Sequence, residues 1–109
     1  MRIAVTSSNG ENVDLHLGKG SSLYIYDFDE NQTVTFIEKR NVDIDPRSKH
    51  QGVKVLDSVK DDCQVIISAQ FGFKSKMNAD DLGIKLVTDE GPIEEVLQRY
   101  VDHYNFMKK

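Results

Sequence analysis

The apolar residues of this chain change period near residue 50, and that change leaves few architectures open. Before it, Ile3-Ala4-Val5 and Leu23 to Phe28 are short runs rich in β-branched and aromatic residues, and Thr33 to Arg40 alternates through Val34 and Phe36. These are strand patterns. After it, Val53, Val55, Leu56 and Val59 suit a helix, and Ile93, Val96, Leu97, Tyr100, Val101 and Tyr104 repeat at spacings of three and four. A helix that buries one stripe has that spacing.

The punctuation supports the same division. Ser7-Ser8-Asn9-Gly10 reads as a turn, because Asn-Gly tolerates positive φ at little cost. A polar loop follows, Asp14 to Ser22, and Asp29 to Gln32 turns one strand back on the next. Asp61-Asp62 ends the first helix. Cys63 to Ser68 is a near-continuous apolar run, as expected of a strand covered on both faces. Gly72 opens a second helix through Leu82, Gly83 ends it, and Ile84 to Val87 is a last strand. Pro92 falls in the first turn of the final helix, where its missing N–H costs nothing, and Glu94-Glu95 suit the positive end of that helix. The order is βββαβαβα. Three antiparallel meander strands followed by two right-handed crossovers predict an α/β fold with a mixed five-stranded sheet and three helices on its faces. The longest irregular stretch, Asn41 to Lys49, is expected to be a mobile connection.

At 109 residues the chain has the size of one domain, spanning 1–109. A net charge of −4 opposes binding along a phosphate backbone, so no nucleic-acid partner is expected. No apolar run approaches the roughly 20 residues that cross a bilayer, and no membrane association is expected. The start of the chain lacks the apolar run of a signal peptide, and a single cysteine fits a reducing compartment, so a cytoplasmic address is expected.

Several residues offer chemistry. His16 stands between two leucines in the glycine-flanked loop, where a neutral imidazole could ligate iron or could be an ordinary surface side chain. Gly18 and Gly20 permit close backbone approach to an anion, with Lys19 supplying positive charge; alternatively they serve the turn alone. His50 precedes the first helix, whose free N–H groups favour an anion. Cys63 is the sole thiol, and as a lone cysteine opening a buried strand it reads more readily as a small hydrophobe than as a ligand. One cysteine cannot hold a four-iron cluster, which ordinarily takes four thiolates, so any cluster would arrive preassembled. His103 falls on the polar side of the last helix. The first strand contains no acid, which opposes a two-metal nuclease site, and no nucleophile motif or phosphate-binding loop is present.

Taken together, three segments resemble the family of dinitrogenase iron–molybdenum cofactor biosynthesis proteins that includes NifX, NafY and the carboxy-terminal domain of NifB. MRIAVTSSNGENVDLHLGKGSSLYIYD is similar to the family's first strand, turn, histidine–glycine signature and second strand. CQVIISAQFGFKSKMNADDLGIKLV is similar to its later strand, glycine turn, helix and strand, and GPIEEVLQRYVD to its final helix. Leu17 stands where an aromatic residue follows the signature histidine, and Ala69-Gln70 where a glycine pair is common. The resemblance implies a ribonuclease-H-like fold and a non-enzymatic carrier of the iron–molybdenum cofactor or an iron–sulfur precursor cluster, in the company of nitrogenase-assembly proteins. It puts His16 at the metal, and Gly18, Lys19, His50 and Gly72 around the cluster. The alternatives are a regulatory or interaction domain of this fold without a cluster, and a ribonuclease-H-like nuclease.

Overall fold

A computed structural model describes residues 1–45, 47 and 51–108. Pro46, Ser48, Lys49, His50 and Lys109 lie outside the described residues, and so do the expectations attached to His50 and to part of that connection.

Along the chain the elements are β1 (Arg2–Thr6), β2 (Asn12–Val13), a single 3-10 turn (Leu17–Lys19), β3 (Ser22–Phe28), β4 (Val34–Asn41), α1 (Gly52–Val59), β5 (Val65–Ser68), α2 (Phe73–Leu82), β6 (Lys85–Thr88), β7 (Gly91–Pro92) and α3 (Ile93–Lys108). The main sheet has five strands in the order β4-β3-β1-β5-β6. β1 and β3 are antiparallel, as are β3 and β4, whereas β5 runs parallel to both β1 and β6. The expected mixed five-stranded α/β sheet with three helices is what the described residues form.

Alternation along the central strands divides the core in two. Ala4 and Ile66 face one way, with Leu23 and Ile25, and pack on Val55, Leu56 and Val59 of α1 and Ala79 of α2. Ile3, Val5, Val65 and Ile67 face the other way and meet the α3 stripe of Ile93, Val96, Leu97, Tyr100 and Val101. Each such side chain taken fully out of water contributes roughly 1.5–3 kcal/mol before entropy is counted. α2 is the poorly anchored element, with Ala79 as its buried residue. Gly83 ends α2 with φ of 73°, in the left-handed region that favours glycine.

Three details depart from expectation. The loop between β1 and β3 is not wholly polar in its packing: Leu17 is fully buried, and the 3-10 turn beginning there tucks it under α1. β2 and β7 form a two-stranded ribbon too short to register as periodicity. Pro92 belongs to that ribbon and not to the first turn of α3; the Ile93 N–H behind it donates to the Glu11 carbonyl at 2.8 Å. β4 also carries a bulge, since Ile25 pairs with Glu38 and Tyr26 with Phe36, leaving Ile37 as the extra residue.

Candidate functional site

The loops that leave the carboxyl ends of β1 and β5 are joined to each other. Thr6 and Ser68 are buried and each turns its hydroxyl to a nearby loop carbonyl, Thr6 to Leu15 at 2.9 Å and Ser68 to Gln70 at 3.2 Å. The Ala69 N–H then donates to Leu15, and the Leu17 N–H to Gln70 at 2.8 Å, so that His16 and Gln70 pair as an isolated parallel bridge. The chain leaves β1 for the antiparallel strand β3 and leaves β5 for α2, and neighbouring parallel strands whose chains part in this way open a crevice at this edge.

A cleft of about 670 Å³ lies there. Its lining includes His16, Gly18, Lys19, Gly52, Gly72 and Lys74. The structure therefore brings four of the five sequence candidates to one place, and the fifth, His50, is outside the described residues. Gly20 is not on the lining: it is buried, and a Cβ there would press on the Leu17 carbonyl, Thr6 and Val55 at 3.1 to 3.3 Å. Its smallness serves packing. Phe73 stands at the rim, 77% exposed, and Val53 is half exposed beside it.

The local chemistry is one-sided. The amino ends of α1 and α2 both reach the cleft, through Gly52 and Val53 in one and Phe73 to Ser75 in the other. Among the described residues no side chain caps either end, and neither first turn contains an acid. Leading N–H groups of a helix have no partner within it and carry partial positive charge. α3 differs, with Glu94 and Glu95 in its first turn. Of the chain's 18 acidic residues none lines this cleft. The smaller clefts each hold a carboxylate, such as Glu11 and Glu94 in one and Asp57 and Asp81 in another.

His16 is fixed by its own turn. It precedes the 3-10 turn in extended conformation, and its Nδ1 accepts the Gly18 N–H at 3.0 Å. The proton of the neutral ring is then on Nε2. Cys63 is elsewhere, 3% exposed in the core beneath α1, with its thiol pushed up to about 12 by burial first and by Asp62 beside it. It is the small hydrophobe that its sequence context suggested. His103 lies exposed on α3 among the residues of a separate small cleft. Among the described residues no three histidine, cysteine or acidic side chains gather as a metal shell, and no helix is long and apolar enough to cross a membrane.

Sequence reasoning missed Val53, Lys74, Ser75 and Asn78 as lining residues. One readable signal was available: glycine immediately before a helix whose first turn lacks any acid.

A small mixed α/β protein with an open cleft, free of carboxylates on its described lining, at the carboxyl ends of two parallel strands is the class that these features define. The chain belongs to the dinitrogenase iron–molybdenum cofactor family, whose model matches residues 1–103. No curated protein matches it. Among solved structures it is similar to PH0822, with a TM-score of 0.77 at 21% identity, covering 94% of this chain and 92% of that one. It is also similar to the apo form of the orange protein from Desulfovibrio gigas, with a TM-score of 0.70 at 21% identity over 94% of this chain and 88% of that one. A NifB-like Thermotoga protein of the DUF35 family, TM1290, superposes with a TM-score of 0.63 at 19% identity, over 93% and 87% of the two chains. At these identities the likenesses concern the fold.

Proposed function

We propose that this chain binds and carries an anionic metallocluster, the nitrogenase iron–molybdenum cofactor or an iron–sulfur precursor of it, and performs no catalysis on it. The observation that carries this reading is the composition of the cleft: two helix amino ends with no side-chain cap or first-turn acid among the described residues, Lys19, Lys74 and His16, with no carboxylate on the described lining, in a chain of net charge −4. Attraction for an anion is concentrated at one place on an otherwise acidic surface. Family membership supports the identity of the cargo. His16, Gly18, Lys19 and Gly72 are the contacts in this reading, and nitrogenase-assembly proteins are the donors and acceptors of the cluster. A carrier must release what it holds, and an open cleft without a ring of protein thiolates suits that requirement.

The test is anaerobic titration of the protein with extracted iron–molybdenum cofactor, followed by visible absorption and paramagnetic resonance. Saturable binding of one cluster per chain, weakened about tenfold when Lys19 and Lys74 are both replaced, supports the reading. Absence of binding overturns it and favours an interaction domain without a cluster.

A further inference from the structure

The lining of the cleft says how such a cargo would be held as well as where. This inference rests on the proposed function and extends it to the class of contact. We infer that His16 recognises the cargo as a hydrogen-bond donor through Nε2–H, and that the cleft takes a coordinatively complete inorganic anion whose outer atoms are sulfide, oxo or carboxylate acceptors.

Three observations lead there. First, Nδ1 of His16 is occupied by the Gly18 N–H at 3.0 Å, a bond that needs the nitrogen's lone pair. The ring's other nitrogen then bears hydrogen and has no lone pair to give a metal. Coordination through Nε2 would demand a proton on Nδ1, facing the Gly18 N–H, and the 3-10 turn at Leu17–Lys19 would lose its cap. Second, Gly18 lies against the start of α1: a Cβ there would be in ordinary contact, at 3.8 Å, with the backbone nitrogens of Gln51 and Gly52. The imidazole cap and the amino end of α1 are thus parts of one packed unit. Third, the charged groups on the described lining and the His16 ring are all donors in this state: Lys19 and Lys74 as ammonium groups, His16 through Nε2–H, and the helix amino ends through backbone N–H. Hydrogen bonds from such groups to an anion are among the stronger ones available to a protein. A metal short of ligands would find neither thiolate nor carboxylate among the described lining residues, whereas a metal already enclosed by sulfide and oxygen would present what these donors need. Release then breaks hydrogen bonds and leaves the cluster's own coordination intact.

The test compares two substitutions that separate the ring's nitrogens. His16→Asn keeps an acceptor near the Nδ1 position for the Gly18 N–H and removes the distal donor. His16→Gln offers an amide N–H near the Nε2 position. Both proteins and the wild type are titrated anaerobically with extracted iron–molybdenum cofactor, after circular dichroism has shown equal folding. The expected result is affinity within a few fold of wild type for His16→Gln and a loss of about tenfold or more for His16→Asn. Long-range proton–nitrogen NMR on histidine-labelled apo protein should show the Nε2–H tautomer, and pulsed paramagnetic resonance of the loaded protein should show only a weak nitrogen coupling. Equal loss in both variants, or a strongly coupled imidazole nitrogen on the bound cluster, overturns the donor role while leaving cluster binding standing. Failure of the wild type to bind overturns the proposed function and this inference with it.

Discussion

A methyl group on Gly52 of α1 would strike the hydroxyl of Ser75 in α2. This close approach sets the distance between the two helix starts and hence the width of the cleft. Turning the Ser75 hydroxyl aside relieves the worst contact, but its Cβ would still stand 3.3 Å from the new methyl. Gly52→Ala is therefore expected to cost about 1 kcal/mol, the lower end of the range for overpacking. It should also weaken cofactor binding by spreading the helix ends. Chemical denaturation and anaerobic titration check the two effects, and Ser75→Gly in the same chain should reverse both.

Charge at the cleft should govern affinity more than it governs folding. Lys19 and Lys74 are exposed, so Lys19→Ala with Lys74→Ala is expected to change stability by less than about 0.5 kcal/mol. The same pair should lower affinity for extracted iron–molybdenum cofactor by about tenfold at low salt. Titrations across a range of ionic strength should show the difference from wild type shrinking as salt rises.

Arg40 ties the outer strand β4 to the turn after α1. Its guanidinium donates to both Asp62 oxygens at 3.0 and 2.7 Å and to the Ser58 carbonyl at 2.7 Å. The Arg40 hydrogen bonds hold the Asp62 carboxyl below its ordinary value. Because the folded value is the lower one, the stabilisation is present above the unfolded value of about 3.9 and is lost as pH falls through the folded one. Both groups retain contact with water, so Asp62→Asn is expected to cost about 1 kcal/mol at neutral pH, near the top of the range for such pairs. Thermal unfolding below pH 4 should then show a smaller acid loss in the variant than in the wild type.

Cys63 has its thiol pushed up to about 12, chiefly by burial. A raised folded value contributes stability that is complete below the thiol's ordinary value and declines as pH rises toward about 12. Thiol reagents should leave the native protein unmodified at pH 8 and react once it is unfolded in guanidinium. Cys63→Ala is expected to cost about 1 kcal/mol through lost packing and to leave cofactor titration unchanged. A matching loss of affinity would bring the sulfur into the site.

Much of this architecture could be read because each main element buries a regular stripe. The α3 positions Ile93 to Val101 are apolar at helical spacing because the sheet lies under one side of that helix. Val65 to Ile67 is apolar throughout because both layers cover β5. The ribbon of β2 and β7 left no such trace, since two residues per strand make no period, and its pairing depends on partners distant in sequence. Leu17 looked like part of a polar loop for a related reason: one buried side chain among glycines, a histidine and a lysine carries no periodic signal. His16 and Gly72 were each visible as candidates, but their sharing of one cleft follows from the bond between Leu17 and Gln70, which no local pattern encodes. Lys74 was read only as helix, because an exposed first-turn residue looks the same whether or not it faces a cleft.

The bond from Leu17 to Gln70 also has a temporal meaning. During synthesis the histidine loop leaves the ribosome well before β5 and α2 exist. Until they arrive, the loop has no opposing wall, and the amino end of α2 is missing from the cleft. Loops that wait for distant partners close late, because the intervening chain must first lose its freedom. On the proposed function, a nascent chain therefore has nowhere to retain a cluster, and loading belongs to the completed fold.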